Sequence, residues 1–459
     1  MTISEKELTI APQEYSLLTD LYELTMIACY AGENIATKPA SFELFVRHLP
    51  EGFGYLIAMG LEQVLEYLER LSFSEVQIEA LKEIGIFDNA PAEFWSLLRA
   101  GTFTGDVWAV PEGTAIFANE PFLRIDAPLW QAQLVETYIL NTINYQTLIA
   151  TKAAKMRDMA GERTSLLEFG TRRAFSPQGA IWAARAALAA GFNSTSNVLA
   201  ALKLGEKPTG TMAHALIMAI DAIAGNEDAA FEAFLKYFPT APLLIDTYDT
   251  VAAAERLRER VAANEMKVTG VRLDSGDLAE LSQKVRSQLP DINIFVSGDI
   301  GEAEIARLQK EGAAIDGYGV GTKLVTGKPV NGVYKLVDID NIPTMKQSSS
   351  KATYPGRKQI FRTIKEGCLQ RERLGLADET ANNGEQSLLQ LMMQNGKRKL
   401  NSETLDTIRQ RTAKSVTSLP SATRQIDNPT PVEVEISNAL ESLRIEVEKR
   451  LSKNSTMNN

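Results

Sequence analysis

Residues 268–323, VTGVRLDSGDLAELSQKVRSQLPDINIFVSGDIGEAEIARLQKEGAAIDGYGVGTK, carry the reading that decides the fold. An apolar run (Val268–Leu273), a polar turn (Asp274–Asp277) and a helical stretch (Leu278–Arg286) come in that order. The order then repeats as Ile292–Val296, Ser297–Ile300 and Glu302–Lys310, and a further run, Ile315–Val320, ends in Gly321 and Thr322. Upstream, TSLLEFGTRR (164–173) and PLLIDTYDT (242–250), with a helix predicted over Val251–Asn264, show the same rhythm. The polar ends at Asp246, Asp274, Ser297 and Gly321 are 28, 23 and 24 residues apart, the length of one strand, one helix and the return. Such units build a parallel sheet with helices outside, open or closed as a barrel. In either form a ligand sits at the C-terminal ends of the strands, so EFGTRR, DTYD, RLDSGD, SGD and GVGT are predicted around one mouth.

Working outward, the pattern predicts four regions. Residues 1–130 hold an apolar helix over Leu17–Ala31, with Thr19 and Asp20 as its cap, and a mixed α/β domain containing the strands SFELFVRHL and GDVWAV. Residues 131–330 open on a long helix to about Met159 and contain the βα rhythm. Residues 331–376 return to strand-and-turn composition, and 377–459, rich in Asn, Gln, Ser and Thr, read as a helical polar extension.

Composition bounds the chemistry. The chain has 459 residues, a net charge of -10 and a pI near 5.1, which argues against nucleic acid held by bulk charge and leaves room for a small anion in a local basic pocket. Cys29 and Cys368 are the two cysteines, too few for a disulfide framework, so a reducing, cytoplasmic setting is expected. No signal peptide is visible, and no apolar stretch approaches the roughly 18 residues of a membrane span. His48 and His214 are the two histidines, so a zinc site built from several histidines or cysteines is excluded.

Each candidate site residue has a structural reading beside the functional one. Ser297, Gly298, Gly321 and Thr322 sit in small-residue turns between strand and helix, which cradle phosphate through backbone N–H groups but are also ordinary tight turns. Arg272 and Asp274 alternate at a strand end and both face the mouth, or pair with each other. Asp277 holds ribose or Mg²⁺, or caps the next helix. Arg172 and Arg173 suit a polyphosphate or carboxylate, or are a solvated pair. His214 opens an apolar helix after a turn on the mouth side, where a lone histidine is usually a packing residue. Lys351, Lys358 and Arg362 form a basic cluster that reads as a pyrophosphate or ATP site or as a solvated strand edge.

The segments LLTDLYELTM (17–26), FELFVRHLP (42–50), EFGTRRA (168–174), TSNVLA (195–200), GTMAHA (210–215), GVRLDSGDL (270–278), VSGDI (296–300), GVGTKLVTG (319–327) and GVYKLV (332–337) resemble nicotinate phosphoribosyltransferases, in order and over about three-quarters of the chain. The resemblance implies an irregular β/α barrel of phosphoribosyltransferase type, with a smaller α+β sandwich-like domain built from both chain ends. It implies the joining of nicotinate to 5-phosphoribosyl 1-pyrophosphate with Mg²⁺, coupled to ATP hydrolysis, in a homodimer with shared active sites. It assigns Tyr22, Thr211 and Arg272 to nicotinate, with Arg172 beside them. It assigns Ser297, Gly298, Gly321 and Thr322 to the 5-phosphate, and His214 to a phosphohistidine. Asp274 and Asp277 are expected at the ribose or metal. Ala215 stands where the family often has serine, so no hydroxyl function is expected there.

Three other readings bear weighing: a nicotinamide-specific transferase, a barrel lyase on sugar phosphates, and a non-catalytic sugar-phosphate sensor. The lyase would want a strand-end lysine or a metal cluster, and the core segments have no strand-end lysine.

Overall fold

The computed structural model describes residues 8–346 and 353–457. Lys351 of the expected basic cluster lies outside them. The chain divides into two units. One runs to Thr147, resumes over Pro329–Thr407 and again from Lys414, and the other comprises Leu148–Lys328 with Ile408–Ala413. The change therefore falls inside the helix Glu136–Ala160, not before it at residue 131 as the composition suggested.

The second unit holds a six-stranded parallel sheet in the order Ser194–Thr195, Ser165–Glu168, Gly317–Val320, Asn293–Gly298, Gly270–Leu273, Leu243–Leu244. The five strands expected from the βα rhythm are all present. The sixth, Ser194–Thr195, is two residues long and has no apolar run to betray it. Residues 209–211 bridge the sheet's two edges: Thr209 N–H donates to Thr195 O at 2.9 Å, and Thr211 Oγ1 donates to Pro242 O.

Two of the connections share a device. DTYD (246–249) and DSGD (274–277) each follow a strand, and in each the second aspartate caps the next helix. Asp249 accepts from Val251 and Ala252 N–H at 3.0 Å and starts Thr250–Ala262. Asp277 accepts from Ala279 and Glu280 N–H at 3.1 and 3.2 Å and starts Leu278–Gln288. Such caps satisfy amide groups that the helix leaves without partners.

The first unit draws on both chain ends. Its largest sheet orders Ile342–Pro343, Val333–Ile339, Pro39–Phe45, Leu123–Pro128, Asp106–Ala109, Gln390–Gln394 and Lys397–Arg398. A four-stranded sheet orders Glu385–Ser387, Lys358–Lys365, Cys368–Leu376 and Val434–Ile436. Residues beyond 377 thus supply strands to both sheets as well as the helices Leu405–Ser418 and Asn438–Met457, where the polar composition had suggested a helical extension. Glu43 and Lys358 join the two sheets, with Lys358 N–H and Nζ each 2.8 Å from the Glu43 carboxylate. The N-terminal helix is Leu21–Gly32. Asp20 occupies its cap position but accepts from Thr137 Oγ1 at 3.1 Å instead of capping the helix amides.

Among the described residues no helix is long and apolar enough to cross a membrane.

Candidate active site

The C-terminal ends of the parallel strands surround a cavity of about 670 Å³. Arg172, Thr211, His214, Arg272, Asp274, Ser297, Gly298, Gly321 and Thr322 all line it. Asp277, occupied as a cap, does not. Tyr22 belongs to the first unit, where it is 45% exposed on the helix Leu21–Gly32.

The two small-residue turns are shaped by sterics. Gly298 has φ +118°, and a Cβ there would lie 2.9 Å from Asp274 O, so only glycine fits. Ser297 Oγ donates to Asp274 Oδ1, tying the SGD turn to the RLDSGD strand end. Gly321 precedes the short helix Thr322–Val325.

Arg272 is part-buried. It donates to Met212 O at 3.0 Å through Nη2, and its Nε is buried without a partner. Burial pushes its pKa down, while Asp274 and Asp246 pull it up. An arginine keeps its charge through such shifts. It forms no ion pair among the described residues, so the guanidinium retains donors for a ligand.

His214 opens the helix His214–Ala224. Its Nδ1 lies 3.0 Å from Thr247 Oγ1, and its Nε2 lies 4.0 Å from Asp246 Oδ1. The Asp246 side chain is 1% exposed, against 38% for His214. Asp246 Oδ2 accepts from Asp274 N–H at 2.7 Å and Ser275 Oγ at 2.8 Å, whereas Oδ1 has no hydrogen-bond partner. A buried carboxylate oxygen left open toward an imidazole fits a residue that orients that ring.

A second cavity of about 420 Å³ lies between the strands and shares Phe169, Gly210, Thr211, Arg272 and Gly319 with the first. Its aromatic walls explain two glycines. A Cβ at Gly319 would fall 2.6 Å from the Phe169 ring, and one at Gly317 would fall 2.6 Å from the Phe295 ring.

Sequence reasoning placed DTYD and EFGTRR at the mouth but gave Asp246, Thr247 and Phe169 no role there. The DxxD pattern repeated at two strand ends could have found Asp246. The alternating glycines of GYGVG, unusual inside a strand, could have pointed to a ring packed against it.

Arg173 also lines the mouth, whereas two other basic candidates do not. Lys358 and Arg362 are buried in the first unit. Lys358 pairs with Glu43, and Arg362 meets Glu372 through Nε and Nη2 at 2.7 and 2.8 Å. They are neither an anion site nor a solvated edge. Among the described residues no group of three or more His, Cys, Asp or Glu side chains could hold a metal ion.

Comparison with known proteins shows what the chain is similar to. Family models match over three stretches: the nicotinate phosphoribosyltransferase N-terminal domain at residues 17–144, the nicotinate phosphoribosyltransferase family at 164–299 and its C-terminal domain at 357–444. The third covers much of the region beyond 377 that composition read as a helical polar extension. A nicotinate phosphoribosyltransferase of Mycobacterium tuberculosis is 41% identical over 424 residues, 90% of this chain and 89% of that protein. One from Bacillus subtilis is 42% identical over 367 residues, 76% of this chain and 73% of the other. The crystal structure of human nicotinic acid phosphoribosyltransferase superposes with a TM-score of 0.82 at 28% identity, covering 94% of this chain and 99% of that one. A nicotinate-nucleotide pyrophosphorylase from Pyrococcus furiosus shares the fold, with a TM-score of 0.72 at 24% identity over 90% of this chain and 98% of its own.

Proposed function

The chain belongs to the nicotinate phosphoribosyltransferase family of enzymes, and from the geometry of its mouth we propose how it acts. It joins nicotinate to 5-phosphoribosyl 1-pyrophosphate, releasing pyrophosphate and nicotinate mononucleotide for NAD biosynthesis, with ATP hydrolysis coupled through a phosphate on His214. The observation that carries this reading is the convergence, in one cavity, of an arginine with an unpartnered Nε, two glycine-bearing turns and a histidine backed by a buried aspartate.

The nicotinate ring nitrogen already has a free lone pair, so attack on the ribose needs no general base. The work is positioning and charge stabilisation. Arg272 faces the nicotinate carboxylate, with Thr211 and Arg172 beside it. Ser297, Gly298, Gly321 and Thr322 grip the 5-phosphate. Asp274, held between Ser297 and Asp246, meets the ribose. With no cage built from protein ligands among the described residues, the mouth suits Mg²⁺ carried largely by the sugar diphosphate, with Asp274 as its protein contact. When bound, the ion would offset charge on the departing pyrophosphate.

The parallel sheet reads as an irregular β/α barrel because residues 209–211 bridge its two edges, and the two sheets joined by Glu43 and Lys358 read as a sandwich. Exposed apolar side chains support a homodimer with shared sites: Val198, Leu199 and Leu202 on the helix Val198–Leu204, and Met218 and Ile223 on the helix that starts at His214. Tyr22 of a second copy would reach the nicotinate ring, and an aromatic ring with a polar tip suits that position. The exposed, unpaired Cys29 and Cys368 fit a cytoplasmic enzyme.

The test is product formation by the purified chain with nicotinate or nicotinamide, with and without ATP, alongside labelling from γ-labelled ATP. Expected are nicotinate preference, ATP stimulation and an acid-labile label absent from His214→Ala. Label persisting in that variant contradicts the phosphohistidine, and amide preference contradicts the substrate. Mixing Tyr22→Ala and His214→Ala subunits should restore one intact site per dimer, and no recovery after verified exchange contradicts sharing.

A further inference from the structure

Glu168 ends the strand Ser165–Glu168 and is 1% exposed. An apolar residue would fill that place without burying charge, and a buried carboxylate is tolerated only where donors satisfy it. Both of its oxygens are engaged. Oε1 accepts from Gly170 N–H, and Oε2 accepts from Thr195 Oγ1. Its backbone O also accepts from Ser196 N–H at 2.9 Å. Thr195, itself 1% exposed, takes Asn197 N–H at 2.9 Å on the same hydroxyl. Glu168 therefore fastens two segments to each other: the 169–173 loop, with Phe169 and Arg172, and the 195–197 turn, whose Ser196 lines the mouth.

The loop has little freedom to find this place otherwise. A Cβ at Gly170 would lie 2.2 Å from Val325 Cγ1 and 2.8 Å from Glu168 Oε1, so the backbone there is pressed between the carboxylate and the helix Thr322–Val325. Two residues on, among the described residues the Arg172 side chain has one hydrogen bond, a long contact of 3.4 Å to Phe169 O. Its direction is set by the backbone beneath it.

We propose that Glu168 is a positioning residue for the aromatic acid substrate, fixing the loop from which Phe169 and Arg172 face the cavity. This rests on the reading above that Arg172 serves nicotinate. Among the described residues the 5-phosphate turns at 297–298 and 321–322 make no hydrogen bond to the Glu168 side chain, and its removal is expected to act on nicotinate more than on the sugar diphosphate.

Steady-state kinetics on the full-length enzyme test this, with melting curves alongside. Losing hydrogen bonds to a charged group should raise the KM for nicotinate about tenfold or more in Glu168→Ala, with the KM for 5-phosphoribosyl 1-pyrophosphate changed less than about threefold. Glu168→Gln should restore most of the loss, since its amide oxygen accepts from Gly170 and its NH₂ donates to Thr195. Thr195→Val removes one of the two bonds, should raise the nicotinate KM by about three- to tenfold, and keeps the test alive if Glu168→Ala does not fold. Equal rises in both KM values, or no rescue by glutamine, overturn the proposal. Arg172→Ala separates the two readings. If it raises the nicotinate KM while the Glu168 and Thr195 variants do not, the positioning role fails and the Arg172 assignment stands. If only the Glu168 and Thr195 variants raise it, the Arg172 assignment fails and Glu168 acts through Phe169.

Discussion

Arg362 and Arg272 are both withdrawn from water, and their surroundings differ. Arg362, in the unit built from both chain ends, meets both Glu372 oxygens, donates to Ala115 O at 2.7 Å and lies over the Phe117 ring at 5.6 Å. Glu120 beside this pair is buried, and burial together with the Glu372 charge pushes its carboxyl well up, against the pull of Arg362. Arg272, at the mouth, has one backbone carbonyl and an unpartnered Nε. Asp246 beside it has one oxygen occupied and one open. Charge matched within the protein holds the fold, whereas charge left open at a cavity is available to a ligand.

The largest effect should come from breaking the closed arrangement. Arg362→Met leaves Glu372 buried without its cation and is expected to lower unfolding free energy by about 3–5 kcal/mol, measured by denaturant titration. The folded fraction should keep its KM for nicotinate. A loss under 1 kcal/mol would mean that the pair is not the structural element its geometry suggests.

A smaller effect is expected at the open carboxylate. Asp246→Asn keeps an acceptor for Asp274 N–H but removes the negative charge facing His214 Nε2. It should slow labelling of His214 from γ-labelled ATP by about tenfold to a hundredfold, the equivalent of about 1.5–3 kcal/mol for a charged hydrogen bond. Unchanged labelling would reduce Asp246 to a brace for the 274–275 turn.

Glu23 sharpens the comparison at its weakest point, because it is a buried acid in the first unit with no ion pair among the described residues. It accepts from the Gln133 amide at 2.6 Å, with Oε1 unpartnered, and Glu136, Tyr22 and Asp20 face it. Burial first, then the Glu136 charge, push it up to about 8, against the pull of Gln133 and Tyr22. The folded value lies above the unfolded one of about 4.3, so the native state binds the extra proton. That stability is fully present below about pH 4 and is lost as pH rises through about 8. Glu23→Gln imitates the protonated form and should flatten the fall in melting temperature between pH 5 and 9. Parallel profiles for variant and wild type would contradict this.

The same contrast explains what could be read in the sequence. The βα rhythm was legible because parallel strands need apolar runs, and their return loops concentrate Gly, Ser and Asp at regular spacing. Ser194–Thr195 was not, being two polar residues paired by a neighbouring ladder. Lys358 and Arg362 looked like an anion site because their partners are invisible locally: Glu43 lies 315 residues from Lys358, and Glu372 sits on the adjacent antiparallel strand. Asp277 kept both readings open, since a helix cap and a ribose ligand call for the same residue at the same strand end. Phe169 was passed over because an aromatic beside a strand reads as core, and only the packing against Gly319 brings its ring to both cavities.

Arg272 offers the most direct measurement: kcat/KM for nicotinate and for nicotinamide, with the unfolding free energy, in wild type and Arg272→Ala. Losing the partner of a desolvated charge should reduce kcat/KM for nicotinate by the equivalent of about 2–5 kcal/mol. The KM for the sugar diphosphate and the use of nicotinamide should fall behind that change, and stability should shift by less than about 1 kcal/mol. Equal losses for the acid and the amide, with destabilisation matching that of Arg362→Met, would make Arg272 a structural arginine and contradict the open-charge account of the mouth.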